Sequence, residues 1–121
     1  MPITAMDLVA AAKKNITEID ADTVHITISN HLILDVREAA EYAAGCLPGA
    51  INISRGVLEF KIGSHPDFQY QHDADITVYC LTGGRSALAA EALNKLGYKK
   101  VVSLAGGFNA WKENGLPINQ P

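Results

Sequence analysis

The sequence predicts an α/β fold with a mostly parallel sheet and helices on both of its faces. Short, nearly continuous apolar runs, typical of strands buried on both faces, alternate along the chain with segments of helical apolar spacing. This alternation favours right-handed crossovers and a parallel sheet. Of the 121 residues, 48% are hydrophobic and 19% charged, an ordinary globular balance, and the length suits one domain over 1–121.

The first half of the chain is predicted to contain two helices and three strands. Thr4 can cap a helix over 7–14, which has an acid early and bases late, and 16–19 is a short edge strand. Residues 24–28 alternate like a strand, although a short helix could occupy the same place. The sequence does not decide between these two assignments. The other elements here are a buried strand over 32–36, a helix over 38–44 that stops at Gly45, a strand over 50–53 and a helical turn or two over 56–62.

The second half alternates in the same way after a polar segment, 63–75, that is predicted to be a surface loop. A buried strand over 76–79 leads into Cys80, and residues 86–96 have the apolar spacing of a helix that ends at Gly97. The last strand covers 101–104. Gly106 and its neighbour open a final helix through 114, in which we expect Trp111 to anchor the core.

The most informative segment is the loop that joins the strand over 76–79 to the following helix. It reads Cys80, Leu81, Thr82, Gly83, Gly84, Arg85. The two glycines let the backbone curl so that several N–H groups point at one spot, where the helix N-terminus adds positive potential. We expect a thiolate at Cys80 with a lowered pKa, a nucleophile that the same cup would also stabilise as a persulfide. Although a lone cysteine after an apolar strand is usually inert, this setting favours a functional one.

Further motifs in order along the chain resemble the rhodanese homology domain. The resemblance covers about residues 16–118 and rests on 34–38, Glu41 with Tyr42, Gly45, 48–51, the loop 80–86, 104–107, Trp111 and 115–117. It implies a five-stranded parallel sheet, a sulfur carrier at Cys80, and loop amides from Leu81 to Arg85 that hold the outer sulfur. It also implies a sulfurtransferase of the thiosulfate:cyanide type that works by a ping-pong mechanism. Sulfane sulfur would pass through the Cys80 persulfide from a donor such as thiosulfate to cyanide or a thiol.

Two alternatives stay open beside this function. One is a persulfide relay between proteins, and the other is a phosphatase or arsenate reductase, because cell-cycle phosphatases share the fold and a Cys-to-Arg loop. Those enzymes place five residues between cysteine and arginine and commonly have His before the cysteine. Here four residues intervene and Tyr79 precedes Cys80, which favours sulfur over the larger phosphoryl group.

Residues near the end of the strand over 32–36 are expected to support the loop. Asp35 is either a turn former or an orienter of the active loop, and Arg37 is assigned a supporting role beside it. The Arg85 guanidinium is expected to meet a carboxylate near Asp35 or Glu38. The family usually has His where this chain has Cys46, which is either a small half-buried residue or a resolving thiol for Cys80.

The composition argues against nucleic-acid binding, membrane insertion and metal binding. The net charge of −3 argues against a nucleic-acid partner, and no apolar run suits a membrane span. The four histidines lack ligand spacing, so we expect neither a metal nor another cofactor. No secretory signal is visible, and with only two cysteines we expect a cytoplasmic protein. The expected partners are a small sulfur donor and acceptor or a thiol protein, and the expected state is a monomer or weak homodimer.

Overall fold

The apolar runs form the strands of one central sheet. The computed structural model describes residues 1–121. The strands are β1 (Thr17–Ile19), β2 (Leu32–Asp35), β3 (Ala50–Asn52), β4 (Asp75–Tyr79) and β5 (Lys100–Leu104). The α-helices are α1 (Ala5–Lys13), α2 (Ala21–Thr27), α3 (Ala39–Ala43), α4 (Leu58–Lys61), α5 (Gly84–Lys95) and α6 (Gly107–Glu113). None of these helices is long and apolar enough to cross a lipid bilayer.

All neighbouring strands are parallel, and their order in the sheet is β1-β5-β4-β2-β3. The predicted α/β fold with five strands is thereby confirmed. The connection that leaves β2 leads to β3 on one side, whereas the connection that leaves β4 leads to β5 on the other. At such a switch point the two connections diverge and leave a crevice beyond the carboxyl ends of the strands. The crevice here lies between Cys80, just after β4, and the segment 36–38, just after β2.

Two apolar clusters pack against the sheet. One contains Leu34, Val36, Val78 and Cys80 together with residues of α4 and α5, and the other contains Ile33 and Tyr79 together with residues of α2 and α6. Because successive strand residues point to opposite faces, alternate residues of β2 and β4 fall into different clusters. Trp111 of α6 is fully buried and its Nε1 donates to the carbonyl oxygen of Pro117 at 2.7 Å, as its predicted role as a core anchor requires.

The structure decides one open segment and corrects another. Residues 24–28 are helical, because Asp20 caps the Thr23 amide at 2.9 Å and Val24 is buried three residues after Ala21. The predicted surface loop over 63–75 is not wholly at the surface. Its Phe68 is fully buried in the cluster that contains Cys80, so this connection contributes to the core.

Candidate active site

The Cys80 sulfur lies at the crevice and receives converging hydrogen bonds. The amide of Gly83 donates to Sγ at 3.1 Å and that of Ser86 donates at 3.4 Å, while the Ser86 hydroxyl oxygen lies 3.5 Å away. Gly83 has a φ of +108°, which a residue with a side chain rarely adopts, and this turn aims its N–H inward. The loop therefore forms a nest of N–H groups around one sulfur atom.

This environment lowers the pKa of the Cys80 thiol below its ordinary value. Burial alone would raise the pKa, since the side chain is almost inaccessible and packs in an apolar cluster. Hydrogen bonds with the Ser86 hydroxyl and with the amides of Ser86, Gly83 and Thr82 lower the pKa, and together they outweigh the effect of burial. The 12-residue helix α5, which starts four residues after the cysteine, adds the positive end of its dipole. These hydrogen bonds make the thiolate form of Cys80 more accessible than it would be in a cysteine buried among apolar groups alone.

Arg85 pairs with a carboxylate close to Glu38, that of Glu41. Its Nη1 and Nη2 donate to the two carboxylate oxygens of Glu41, at 2.8 and 3.1 Å, so the expected pairing with a carboxylate near Asp35 or Glu38 is met by Glu41, three residues after Glu38. The reason is that Asp35 already holds Arg37, while the first turn of α3 brings Glu41 to the rim of the loop. The hydrogen bonds from Arg85 lower the pKa of Glu41 to about 2, which keeps this ion pair charged at physiological pH.

Asp35 and Arg37 form a buried ion pair behind the crevice. The Arg37 Nη2 donates to Asp35 Oδ2 at 2.8 Å and to the Gly45 carbonyl at 2.6 Å, and the guanidinium lies 4.3 Å from the centroid of the Phe108 ring. Asp35 also accepts the Arg37 amide at 2.9 Å and the Tyr79 hydroxyl at 2.7 Å. Two roles were predicted for Asp35, and the hydrogen bond that it accepts from the Arg37 amide is the contact expected of a turn former. It makes no hydrogen bond to the loop 80–85 and reaches it only through Tyr79, the residue before Cys80.

Cys46 is fully buried rather than half-buried and lies in a different cluster from Cys80. It exchanges backbone hydrogen bonds with Asn119 at 2.9 and 2.8 Å. Burial, followed by the nearby charge of Asp35, raises the pKa of the Cys46 thiol. The two cysteines are free and belong to the apolar clusters that contain Tyr79 and Val78 respectively. This placement favours a packing role for Cys46 over that of a resolving thiol.

Three residues that support the site were not assigned a role from the sequence. Ser86 contacts the sulfur, and Ser103 of β5 donates to the Ser86 hydroxyl at 2.8 Å. Gly107 lies against the start of the loop, where an added Cβ would sit 2.5 Å from the Cys80 carbonyl oxygen. Ser86 could have been found from its place directly after Arg85 at a helix start, but nothing local in the sequence marks Ser103.

Other features of the surface do not join this site. One cleft, of about 230 Å³, is lined by charged and apolar residues of α5 and of the segment before and within α4, and it does not include Cys80. Its lining residues are Arg55, Glu59, Leu88, Glu91, Ala92, Lys95 and Leu96. No three His, Cys, Asp or Glu side chains are grouped as a metal site would require.

Comparison with known proteins agrees with this geometry. The family profile of the rhodanese-like domain matches residues 11–114. A sulfurtransferase from Allochromatium vinosum is 32% identical over 109 residues, which are 88% of this chain and 97% of that protein. The chloroplastic thiosulfate sulfurtransferase 16 of Arabidopsis thaliana is 36% identical over 101 residues, 76% of this chain and 82% of its relative.

A solved structure shares nearly the whole fold. It is a protein of unknown function from Rhodopseudomonas palustris, described as a possible tyrosine phosphatase, and it superposes with a TM-score of 0.84 at 31% identity over 98% of this chain and 99% of its own. The sequence motifs, the parallel sheet and the cysteine loop at its switch point all agree with the profile match. The chain belongs to the rhodanese-like domain family, in which it has relatives named sulfurtransferases.

Proposed function

We propose that the protein moves sulfane sulfur from a donor to a thiophilic acceptor through a persulfide on Cys80. The observation that carries the proposal is the convergence of the Gly83 and Ser86 amides on one buried sulfur. These donors stabilise an anion at that position before any substrate arrives, so they stabilise both the attacking thiolate and the persulfide anion. The sulfurtransferase names of the relatives support the same reaction class.

The chemistry divides into two half-reactions that need no added oxidant or reductant. The Cys80 thiolate attacks the outer sulfur of thiosulfate, a new S–S bond forms, and sulfite leaves with the electron pair of the broken S–S bond. An acceptor such as cyanide or a thiolate then attacks the outer sulfur, and the electron pair of the second broken bond returns to Cys80. Because sulfur rests on the enzyme between the two steps, the kinetics should be ping-pong.

Charges around the crevice favour a donor other than a small dianion. Arg37 is held by Asp35 and Arg85 by Glu41, so the two cations nearest the loop are already neutralised. Leu81 and Thr82 add no charge. We therefore expect modest thiosulfate:cyanide activity with a high KM, and saturation at low micromolar thiosulfate would contradict this reasoning.

A protein persulfide relay is a second candidate because Arg37 and Arg85 are already paired with carboxylates, so a small anion gains little binding energy at the loop. A protein partner can supply that binding energy through contacts over a wider surface around the loop. Transfer to a protein thiol that is much faster than transfer to cyanide would favour the relay.

Phosphoryl transfer on the same fold is less well supported. Four residues separate Cys80 from Arg85, one fewer than the phosphatase loop has, and Arg85 already binds Glu41 through both of its terminal nitrogens. A phosphoryl group would need that guanidinium and a wider ring of amides. The description of the Rhodopseudomonas palustris protein makes this alternative worth testing directly.

Intact-protein mass spectrometry separates these candidates. Thiosulfate or mercaptopyruvate should add about 32 Da, one sulfur atom, as a covalent intermediate on the nucleophile. The Cys80→Ser variant should gain nothing, whereas Cys46→Ser, the matched control at the other cysteine, should load like the wild type. A phosphate ester should leave the mass unchanged. Loading that survives Cys80→Ser, or a phosphorylated protein, would overturn the proposal.

A further inference from the structure

Two serine hydroxyls are buried behind the Cys80 sulfur. Ser86 and Ser103 are both fully inaccessible, and their Oγ atoms lie 2.8 Å apart. A buried hydroxyl without a partner costs about 1–3 kcal/mol, and the neighbourhood is apolar. Each serine therefore depends on the other, and Ser86 depends also on the sulfur, 3.5 Å away.

The hydrogen-bonding capacity of the pair determines which way its protons point. A hydroxyl has one proton to donate and two lone pairs that accept. The Ser103 hydroxyl makes a single hydrogen bond, in which it donates to Ser86. Ser86 then has its own proton free, and a thiolate at Cys80 can only accept. The arrangement that satisfies all three groups runs from Ser103 to Ser86 and from Ser86 to the sulfur.

Ser103 is well placed to orient the Ser86 hydroxyl because strand pairing holds the backbone of Ser103 in position. It lies in β5 between two parallel neighbours, opposite Val78 of β4 and Glu18 of β1. β4 is the strand that delivers Cys80, so the two ends of the hydroxyl chain are held by adjacent strands of one sheet. The distance between Ser103 and the sulfur is thus set by strand pairing rather than by the loop.

We propose that Ser103 is a positioning residue for the reaction at Cys80, which holds the Ser86 hydroxyl with its proton directed at the sulfur. The role rests on the proposed function, because a persulfide or thiolate anion is the group that benefits. Ser103 touches neither the sulfur nor a substrate and acts only through Ser86. Among the contacts that lower the pKa of Cys80, the hydrogen bond with the Ser86 hydroxyl contributes most. The pKa should therefore be lowered less when Ser103 no longer orients that hydroxyl.

A double-mutant cycle tests this dependence without any sulfur donor. The rate of Cys80 alkylation by iodoacetamide is measured against pH in wild type, Ser103→Ala, Ser86→Ala and the double variant, with the modified cysteine identified by mass. We expect Ser103→Ala to raise the midpoint by about half a pH unit to one unit, and Ser86→Ala to raise it at least as much. The double variant should match Ser86→Ala, since Ser103 acts through Ser86.

Two further variants make the result specific. Thr77→Val removes another fully buried hydroxyl, one that contacts His31 and not the site, and should leave the midpoint unchanged. Ser103→Thr restores a hydroxyl and should recover the wild-type midpoint. An unshifted Ser103→Ala profile in a folded protein, or a Ser103 effect that persists after Ser86→Ala, would overturn the proposal. Failure of the wild type to load sulfur would instead count against the proposed function alone.

Discussion

Replacing Gly107 by alanine measures how closely α6 supports the start of the active loop. Gly107 has a φ of +59°, and a Cβ there would lie 2.5 Å from the Cys80 carbonyl oxygen and 2.6 Å from the Leu81 carbonyl group. Ordinary contact begins at 3.4 Å, so the two backbones must separate by about 0.9 Å. The movement would break the hydrogen bonds from the Phe108 amide to Cys80 and from the Asn109 amide to Leu81, now 2.8 and 3.1 Å.

The expected loss of stability follows from these contacts. A left-handed backbone costs a non-glycine residue about 1 kcal/mol. The two amide hydrogen bonds contribute about 1 kcal/mol each, so the free energy of unfolding of Gly107→Ala should fall by about 3 kcal/mol. The alkylation midpoint of Cys80 should also rise, because the first peptide of the loop moves away from its present position.

Gly115 provides a matched control for the strain of the backbone. It has a φ of +67°, but no atom lies within 4 Å of the Cβ that alanine would add. Gly115→Ala should therefore lose only about 1 kcal/mol and should leave the reactivity of Cys80 unchanged. Urea denaturation of both variants gives the comparison. Equal losses from the two would refute the argument that close approach at Gly107 supports the loop.

Three other predictions follow from charged groups at the site. Because the pKa of Cys80 is lowered on folding, the unfolded chain holds this proton more tightly, and the free energy of unfolding in urea should rise with pH up to about 8.5; a flat profile would contradict the lowered pKa. Glu41→Gln should lower the KM for thiosulfate several-fold by freeing the charge of Arg85, with at most about 1 kcal/mol lost from this half-exposed pair; steady-state kinetics would reveal an unchanged KM if this is wrong. Asp35→Asn should cost about 3–5 kcal/mol, because it leaves the Arg37 charge buried without its partner, and a cost below 1 kcal/mol in denaturation would count against it.

Local patterns in the sequence were sufficient for the fold and for selecting Cys80 as the candidate nucleophile. Apolar runs over 32–36, 76–79 and 101–104 mark buried strands because both faces of a parallel sheet must be covered. The loop after β4 was recognisable because its glycines, its arginine and the helix that follows are neighbours in sequence. Residues 24–28 remained ambiguous because a short apolar segment satisfies a strand and a helix equally well, and only packing of α2 against α6 decides between them.

Only the tertiary structure could decide which side chains serve the loop. Glu41 lies 44 residues before Arg85, and Ser103 lies 17 residues after Ser86, so neither pair shares a local pattern. Each partner is chosen by how strands and helices pack at the switch point, where Asp35 is already occupied by Arg37 and the first turn of α3 reaches the loop instead. The requirement for glycine at position 107 could not be predicted from the sequence either. It arises because folding brings the backbone of Cys80 and Leu81 so close that a side chain would not fit. The sequence by itself determined the strands and the place of the cysteine loop, whereas the contacts that surround the Cys80 sulfur were decided by packing in three dimensions.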